Sequence, residues 1–125
     1  MNNQELANGT VEAWTPEEVL EALKSDEIVL IDVRTPQEYM FEHIQGSLLA
    51  PMHCTEPKSY PTQDGKRIVL HCGSGVRSAK IANDCFAAGY THMAHLEGGF
   101  AAWKAAKQPY IGTDMASGAP VIKCD

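Results

Sequence analysis

The sequence contains no apolar run long enough to cross a bilayer. Its first residues, MNNQELANGTVEAW, lack a basic segment followed by an apolar one, so no secretory signal is expected. Basic charge is scarce: 10 Lys and Arg stand against 16 Asp and Glu, a net charge of −6. Such a chain is repelled by polyphosphate and by anionic lipid, which argues against general binding to nucleic acid or to a membrane. Cysteine is limited to Cys54, Cys72, Cys85 and Cys124 at irregular spacings. A chain of 125 residues needs no disulfide staples, and reduced thiols in a reducing compartment, the cytoplasm, are expected. No C-x2-C or H-x3-H spacing supports a zinc site. The pairs His53-Cys54 and His71-Cys72 do not supply one either, because neighbours on a strand point to opposite faces. No internal repeat or low-complexity segment is present.

Hydrophobic residues make up 44% of the chain, enough for one core. Residues 1–13 are polar and aperiodic and read as a flexible arm. Thr15-Pro16-Glu17-Glu18 is a helix start with a capping box, and Thr35-Pro36-Gln37-Glu38 repeats it. Ile28 to Ile31 and Arg67 to His71 are continuous apolar runs of the kind buried on both sheet faces. Residues 51–66 hold Pro51, Pro57 and Pro61 and read as a loop. Arg77 to Ala88 is expected to be a helix, Thr91 to Leu96 a third strand, and Gly98-Gly99 the start of a last helix. Everything after Gly112 reads as tail. Strands alternating with helices, with no hairpin signal, imply an α/β fold with a small parallel sheet flanked by helices on both faces.

One segment carries the chemistry. In His71-Cys72-Gly73-Ser74-Gly75-Val76-Arg77-Ser78, a buried strand ends, a cysteine follows, and two glycines bend the chain into a helix. Ligands of parallel sheets bind at the carboxyl ends of strands. Gly73 and Gly75 permit successive amides to turn inward as an anion nest, and a helix N-terminus adds positive potential. A thiolate is favoured there, so Cys72 should titrate below a free cysteine. From Gly65 to Asn83 the charges are Lys66, Arg67, Arg77 and Lys80, with no acid among them. A purely basic stretch in an acidic chain suggests that an anionic substrate is received there.

Four motifs in order then resemble the rhodanese family over about residues 14–111. They are Asp32-Val33-Arg34, Glu38-Tyr39 followed by His43-Ile44-Gln45-Gly46-Ser47, the Cys72 loop, and Glu97-Gly98-Gly99-Phe100 with Trp103. The layout implied is a flexible arm at 1–13, a rhodanese-like domain at 14–111 and a tail at 112–125. The resemblance implies sulfur transfer from thiosulfate or a related anionic donor to cyanide or a thiol, including a protein thiol, through a Cys72 persulfide. No metal or organic cofactor is implied. The loop is C-x4-R, whereas the similar Cdc25-type phosphatases and protein tyrosine phosphatases use C-x5-R, a wider ring suited to a tetrahedral phosphate. A phosphatase or arsenate reductase is the first rival reading and a non-turnover sulfur carrier the second.

Within this frame Cys72 is the catalytic candidate. Gly73, Ser74, Gly75, Val76, Arg77 and Ser78 form the anion-binding loop, with Arg77 on the donor's anionic end. Ser78 either caps the helix or bonds the persulfide. Asp32 and Arg34 support the loop by an ion pair or backbone bonds. His43 is architectural, Phe100 and Trp103 are core, and Cys85 is buried on a helix face. Cys54 and Cys124 are candidates for a resolving thiol. The family often carries a helix where this chain has residues 51–66, which implies a more open cleft suited to a bulky acceptor.

Overall fold

The computed structural model describes residues 1–124. Over these residues the strands are β1 (Asn2–Glu5), β2 (Thr10–Trp14), β3 (Ile28–Asp32), β4 (Leu48–Leu49), β5 (Arg67–His71), β6 (Ala94–Leu96), β7 (Tyr110–Thr113) and β8 (Pro120–Lys123). The helices are α1 (Pro16–Lys24), α2 (Pro36–Phe41), α3 (Val76–Ala87) and α4 (Gly99–Ala105), with a 3-10 turn at Pro57–Ser59. The main sheet runs β1-β2-β6-β5-β3-β4. Only β1 is antiparallel to its neighbour.

Local chemistry accounts for the helix starts. Thr15 and Thr35 each accept a hydrogen bond from the amide of the glutamate three residues on, and each glutamate side chain reciprocates. Each closes a capping box behind a proline at the first helical position. The apolar strands are buried on both faces, as their continuous pattern requires. Leu30 and Val69 join Val19, Phe100 and Trp103 on the face covered by α1 and α4. Ile31, Ile68 and Leu70 join Ile81, Ala82 and Cys85 on the face covered by α3. Helices therefore cover both faces of the sheet.

Two stretches differ from the sequence reading. The arm expected at 1–13 is a β-hairpin whose second strand enters the main sheet, with Glu12 opposite Ala94 and Ala13 opposite His95. Val11 is fully buried there, so a tertiary slot beside β6 overrides a weak local pattern. The stretch from Tyr110 onward contains a second hairpin, β7 with β8, where a tail was expected from residue 112. It is tied to the domain by paired backbone bonds between His43 and Ile111. The third strand is shorter than expected, covering Ala94–Leu96 alone.

Trp103 anchors the α4 face. It is fully buried, and its indole N–H donates to the Pro109 carbonyl at 2.9 Å. Trp103→Ala is expected to lower unfolding free energy by about 3–5 kcal/mol in chemical denaturation.

Candidate functional site

The site is built where β5 hands over to α3. The register sets Asp32 of β3 beside His71 of β5, and Leu70 of β5 beside His95 of β6. Cys72 follows at the carboxyl end of this central strand. Gly75 caps α3 with φ +101 and no side-chain bond. The first amides of the helix therefore remain free to meet an anion.

They meet the Cys72 sulfur. The Gly75 N–H donates to Sγ at 3.1 Å and the Ser78 N–H at 3.4 Å. The thiol in turn lies 3.7 Å from Ser78 Oγ. Burial alone would push the thiol up. The Ser78 amide and hydroxyl, with the amides of Ser74 and Gly75, outweigh it and hold Cys72 below an ordinary thiol.

The loop is clamped from behind by α4. The Phe100 and Ala101 amides donate to the carbonyls of Cys72 and Gly73 at 2.8 and 3.0 Å. Gly99 allows this approach: at φ +63, a Cβ there would lie 2.6 Å from the Cys72 carbonyl oxygen and 2.7 Å from the Ser74 nitrogen. The glycine pair in Glu97-Gly98-Gly99 thus serves loop shape as much as helix initiation.

Asp32 and Arg34 form a buried fork beneath the loop. Arg34 donates to Asp32 Oδ2 from Nη2 at 2.8 Å and to the Glu42 carbonyl at 2.7 Å. Its guanidinium also stacks over Phe100, 4.7 Å from the ring centre. Both residues lie behind the strand ends and neither contacts the Cys72 sulfur through a hydrogen bond. His71 and Cys72 face opposite sides of the sheet. The His71 imidazole is kept below its usual range by burial, against the pull of Asp32. His43 stacks on Tyr39 at 4.0 Å and its Nδ1 bonds the Tyr39 carbonyl, an architectural placement. Cys85 is buried, which pushes its thiol up to about 12. Cys54 and Cys124 are exposed, and neither forms a disulfide with Cys72.

Two expectations are refined, and one further feature emerges. The stretch Lys66 to Lys80 is not an unopposed basic surface, because acids from elsewhere in the chain reach every cation in it. Lys66 pairs with Asp26, Arg67 with Glu12, Arg77 with Glu38 and Lys80 with Asp84. Residues 51–66 are packed on the domain rather than a detached loop. Tyr60 from that stretch is buried in the cluster containing Ile81 and Cys85, and its carbonyl accepts a bond from the Tyr90 hydroxyl. Cys72 itself is 0% exposed. The Arg77 guanidinium lies against the loop, with Nη2 3.2 Å from where a Gly73 Cβ would stand. A reagent therefore reaches the sulfur only after the side chains packed over the loop, Arg77 among them, move.

Glu38, read from sequence only as a cap, holds that arginine through two bonds of 2.8 and 3.0 Å. Arg77 keeps its carboxyl well below the usual carboxylate range, at about 2, against the opposing effect of burial and with help from Thr35. His95 was also missed. It lies on a three-residue strand, and nothing in the local sequence marks it. Its Nδ1 is 2.7 Å from Ser78 Oγ.

An α/β sheet with a cysteine nested at a strand-to-helix turn defines a recognisable class, and comparison with known proteins agrees. The model of the Rhodanese-like domain matches residues 15–106. The chain belongs to the rhodanese-like family. It is 36% identical over 101 residues to the uncharacterised Synechocystis protein slr1261, across 81% of this chain and 56% of that one. It thus spans about half the length of that relative. It is 32% identical over 95 residues to the thiosulfate sulfurtransferase GlpE of Coxiella burnetii, covering 76% of this chain and 83% of GlpE. A solved Rhodopseudomonas palustris protein of unknown function, described as a possible tyrosine phosphatase, shares the fold with a TM-score of 0.67. That match is 31% identical and covers 79% of this chain and 83% of that one.

Two variants probe the geometry. Gly99→Ala should cost at least about 2 kcal/mol, through left-handed strain and the clash with the loop backbone. Thermal unfolding would show a lowered Tm. Glu38→Gln keeps the capping box but removes the ion pair with Arg77. Alkylation of Cys72 by iodoacetamide should then quicken roughly twofold to fivefold, the worth of a partly exposed pair. The native pair should persist in mild acid. The depressed Glu38 carboxyl contributes above its unfolded value near 4.5, and that contribution is lost only as pH falls toward about 2.

Proposed function

We propose that this protein is a sulfurtransferase that carries sulfane sulfur as a persulfide on Cys72. The observation that carries the reading is the convergence of the Gly75 and Ser78 amides on Sγ, with the thiol held below its ordinary value. Family membership and the sulfurtransferase name of the GlpE relative support it.

The thiolate attacks the outer sulfur of thiosulfate. An S–S bond forms to Cys72, the donor's S–S bond breaks, and sulfite leaves with the electron pair. Arg77, released from Glu38, binds the donor's sulfonate. The persulfide anion takes the place of the thiolate among amides already aimed at it, so little reorganisation is needed. A nucleophile such as cyanide or a thiol, including one on a protein, then attacks the terminal sulfur and the Cys72 thiolate leaves. Ser78 bonds the sulfur as well as standing in the first turn of α3. Asp32 and Arg34 act from behind by fixing the strand ends. The four unpaired cysteines suit a reducing compartment such as the cytoplasm.

The likeness to a possible tyrosine phosphatase makes phosphate-ester hydrolysis the reading to test beside it. The C-x4-R loop, one residue shorter than the phosphatase pattern, favours a single added sulfur.

Incubation with thiosulfate should add about 32 Da to the chain, mapped to Cys72 by peptide mass spectrometry, as expected of a covalent intermediate. Cys72→Ser should fold and gain nothing. Hydrolysis of p-nitrophenyl phosphate with no sulfur gain would overturn the assignment.

A further inference from the structure

A chain of side chains runs behind the Cys72 nest and ends on the N-terminal hairpin. Ser78 Oγ, 3.7 Å from the Cys72 sulfur, is 2.7 Å from His95 Nδ1. His95 Nε2 is 3.0 Å from Gln4 Oε1. Both His95 and Ser78 are buried. Gln4 lies on β1, which is exposed along its length. The chain thus passes from sulfur to surface in three steps. Gln4, Gly75, His95 and Glu97 also line a groove of about 570 Å³ between the hairpin and the loop, so solvent meets the chain at its outer end.

The direction of each bond follows from the ends. The Gln4 carbonyl oxygen only accepts, so His95 Nε2 carries the hydrogen. In a neutral ring Nδ1 is then a bare acceptor. The Ser78 hydroxyl donates to it, and its lone pairs are left for the Cys72 S–H. The competing acceptor for that hydroxyl is the Gly75 carbonyl at 3.2 Å, which one hydrogen cannot serve at the same time.

We propose that His95 is a positioning residue that takes the Cys72 proton through Ser78, with Gln4 setting its tautomer. The inference rests on Cys72 being the reacting thiol. In the step, the S–H bond breaks and its proton binds Ser78 Oγ. The original Ser78 O–H bond breaks and that proton binds His95 Nδ1. The products are a thiolate, an imidazolium and a neutral serine whose new O–H points at sulfur. No electron is gained or lost, and no further reactant is needed. The thiolate then gains the Ser78 hydroxyl as a donor beside the amides already aimed at it. When the thiolate leaves a spent persulfide, it returns to the same donors.

The charges around the pair are few. Burial opposes an imidazolium at His95, and Glu97 favours one. Arg77 lies close enough to Cys72 to feel its charge, and it favours the thiolate. On the hairpin side, β1 offers Gln4 and β2 offers Ala13 opposite His95, neither of which titrates. Gln4 is therefore the place where one added charge acts on the relay alone.

The test reads thiolate ultraviolet absorbance against pH on the full chain, with Cys72→Ser as the blank, and needs no sulfur donor. His95→Asn keeps an acceptor for Ser78 but cannot take the proton. Its Cys72 midpoint should rise, lowering the thiolate fraction at neutral pH about tenfold, the smaller end of what a nearby opposite charge produces. Gln4→Leu should shift the midpoint the same way. Gln4→Glu should shift it down, because a carboxylate on Nε2–H stabilises the imidazolium. A purely structural contact gives both Gln4 variants the same sign, or no shift. Either of those results, with both Gln4 variants folded, overturns the relay. The exposed Gln4 variants decide the matter even if His95→Asn fails to fold. Opposite shifts in the two Gln4 variants, with a wild-type chain that takes up no sulfur from thiosulfate, would uphold the relay and overturn the sulfurtransferase reading instead.

Discussion

The structure depends on a backbone event: the amides of Gly75 and Ser78 point at one sulfur atom. Burying a thiol ordinarily makes it harder to ionise, as Cys85 shows toward the C-terminal end of α3. Cys72 is just as buried, yet it is pulled the other way. The difference is not exposure but donors. Cys85 faces apolar neighbours, whereas Cys72 faces the unsatisfied start of α3. Two cysteines with equal burial are thus set to opposite chemical fates by where each lies relative to one helix, Cys72 at its N-terminus and Cys85 within its last turns.

Much of the remaining architecture keeps those donors in place. Gly75 takes a left-handed conformation so that the chain can turn into α3. Gly99 lets the first amides of α4 clasp the carbonyls of Cys72 and Gly73. Asp32 and Arg34 lock the end of β3 to the Glu42 carbonyl. Since the loop carbonyls are engaged behind and its amides in front, its shape is fixed before any ligand arrives. Such preorganisation is what makes a ring of weak dipoles effective toward an anion. The Arg77–Glu38 pair adds a second layer, holding the guanidinium against the loop.

What was legible in the sequence follows the range of the interactions. The Cys72 loop could be read because strand, glycines and helix start are contiguous, and the capping boxes at Thr15 and Thr35 because they close within four residues. The hairpins at either end could not be read. β1 exposes all of its residues, and β2 is a strand only because β6 offers it an edge. The partners of Arg67 and Arg77 are invisible for the same reason. Arg77 finds Glu38 and Arg67 finds Glu12 across long stretches of chain. The local run of positive charge is legible, but its pairing with distant acids is not. The packing of Tyr60 against the α3 face is not legible either, because it comes from a loop whose prolines suggest openness. His95 and Gln4 became visible only when the fold placed them end to end.

The direct measurement of the central claim is an amide-resolved NMR titration of the protein. The account predicts that the Gly75 and Ser78 N–H resonances move downfield together in one transition, at a pH below that of a free cysteine thiol, and that Cys72→Ser abolishes it. Amide signals that stay still, or that respond only where an ordinary thiol ionises, would contradict it.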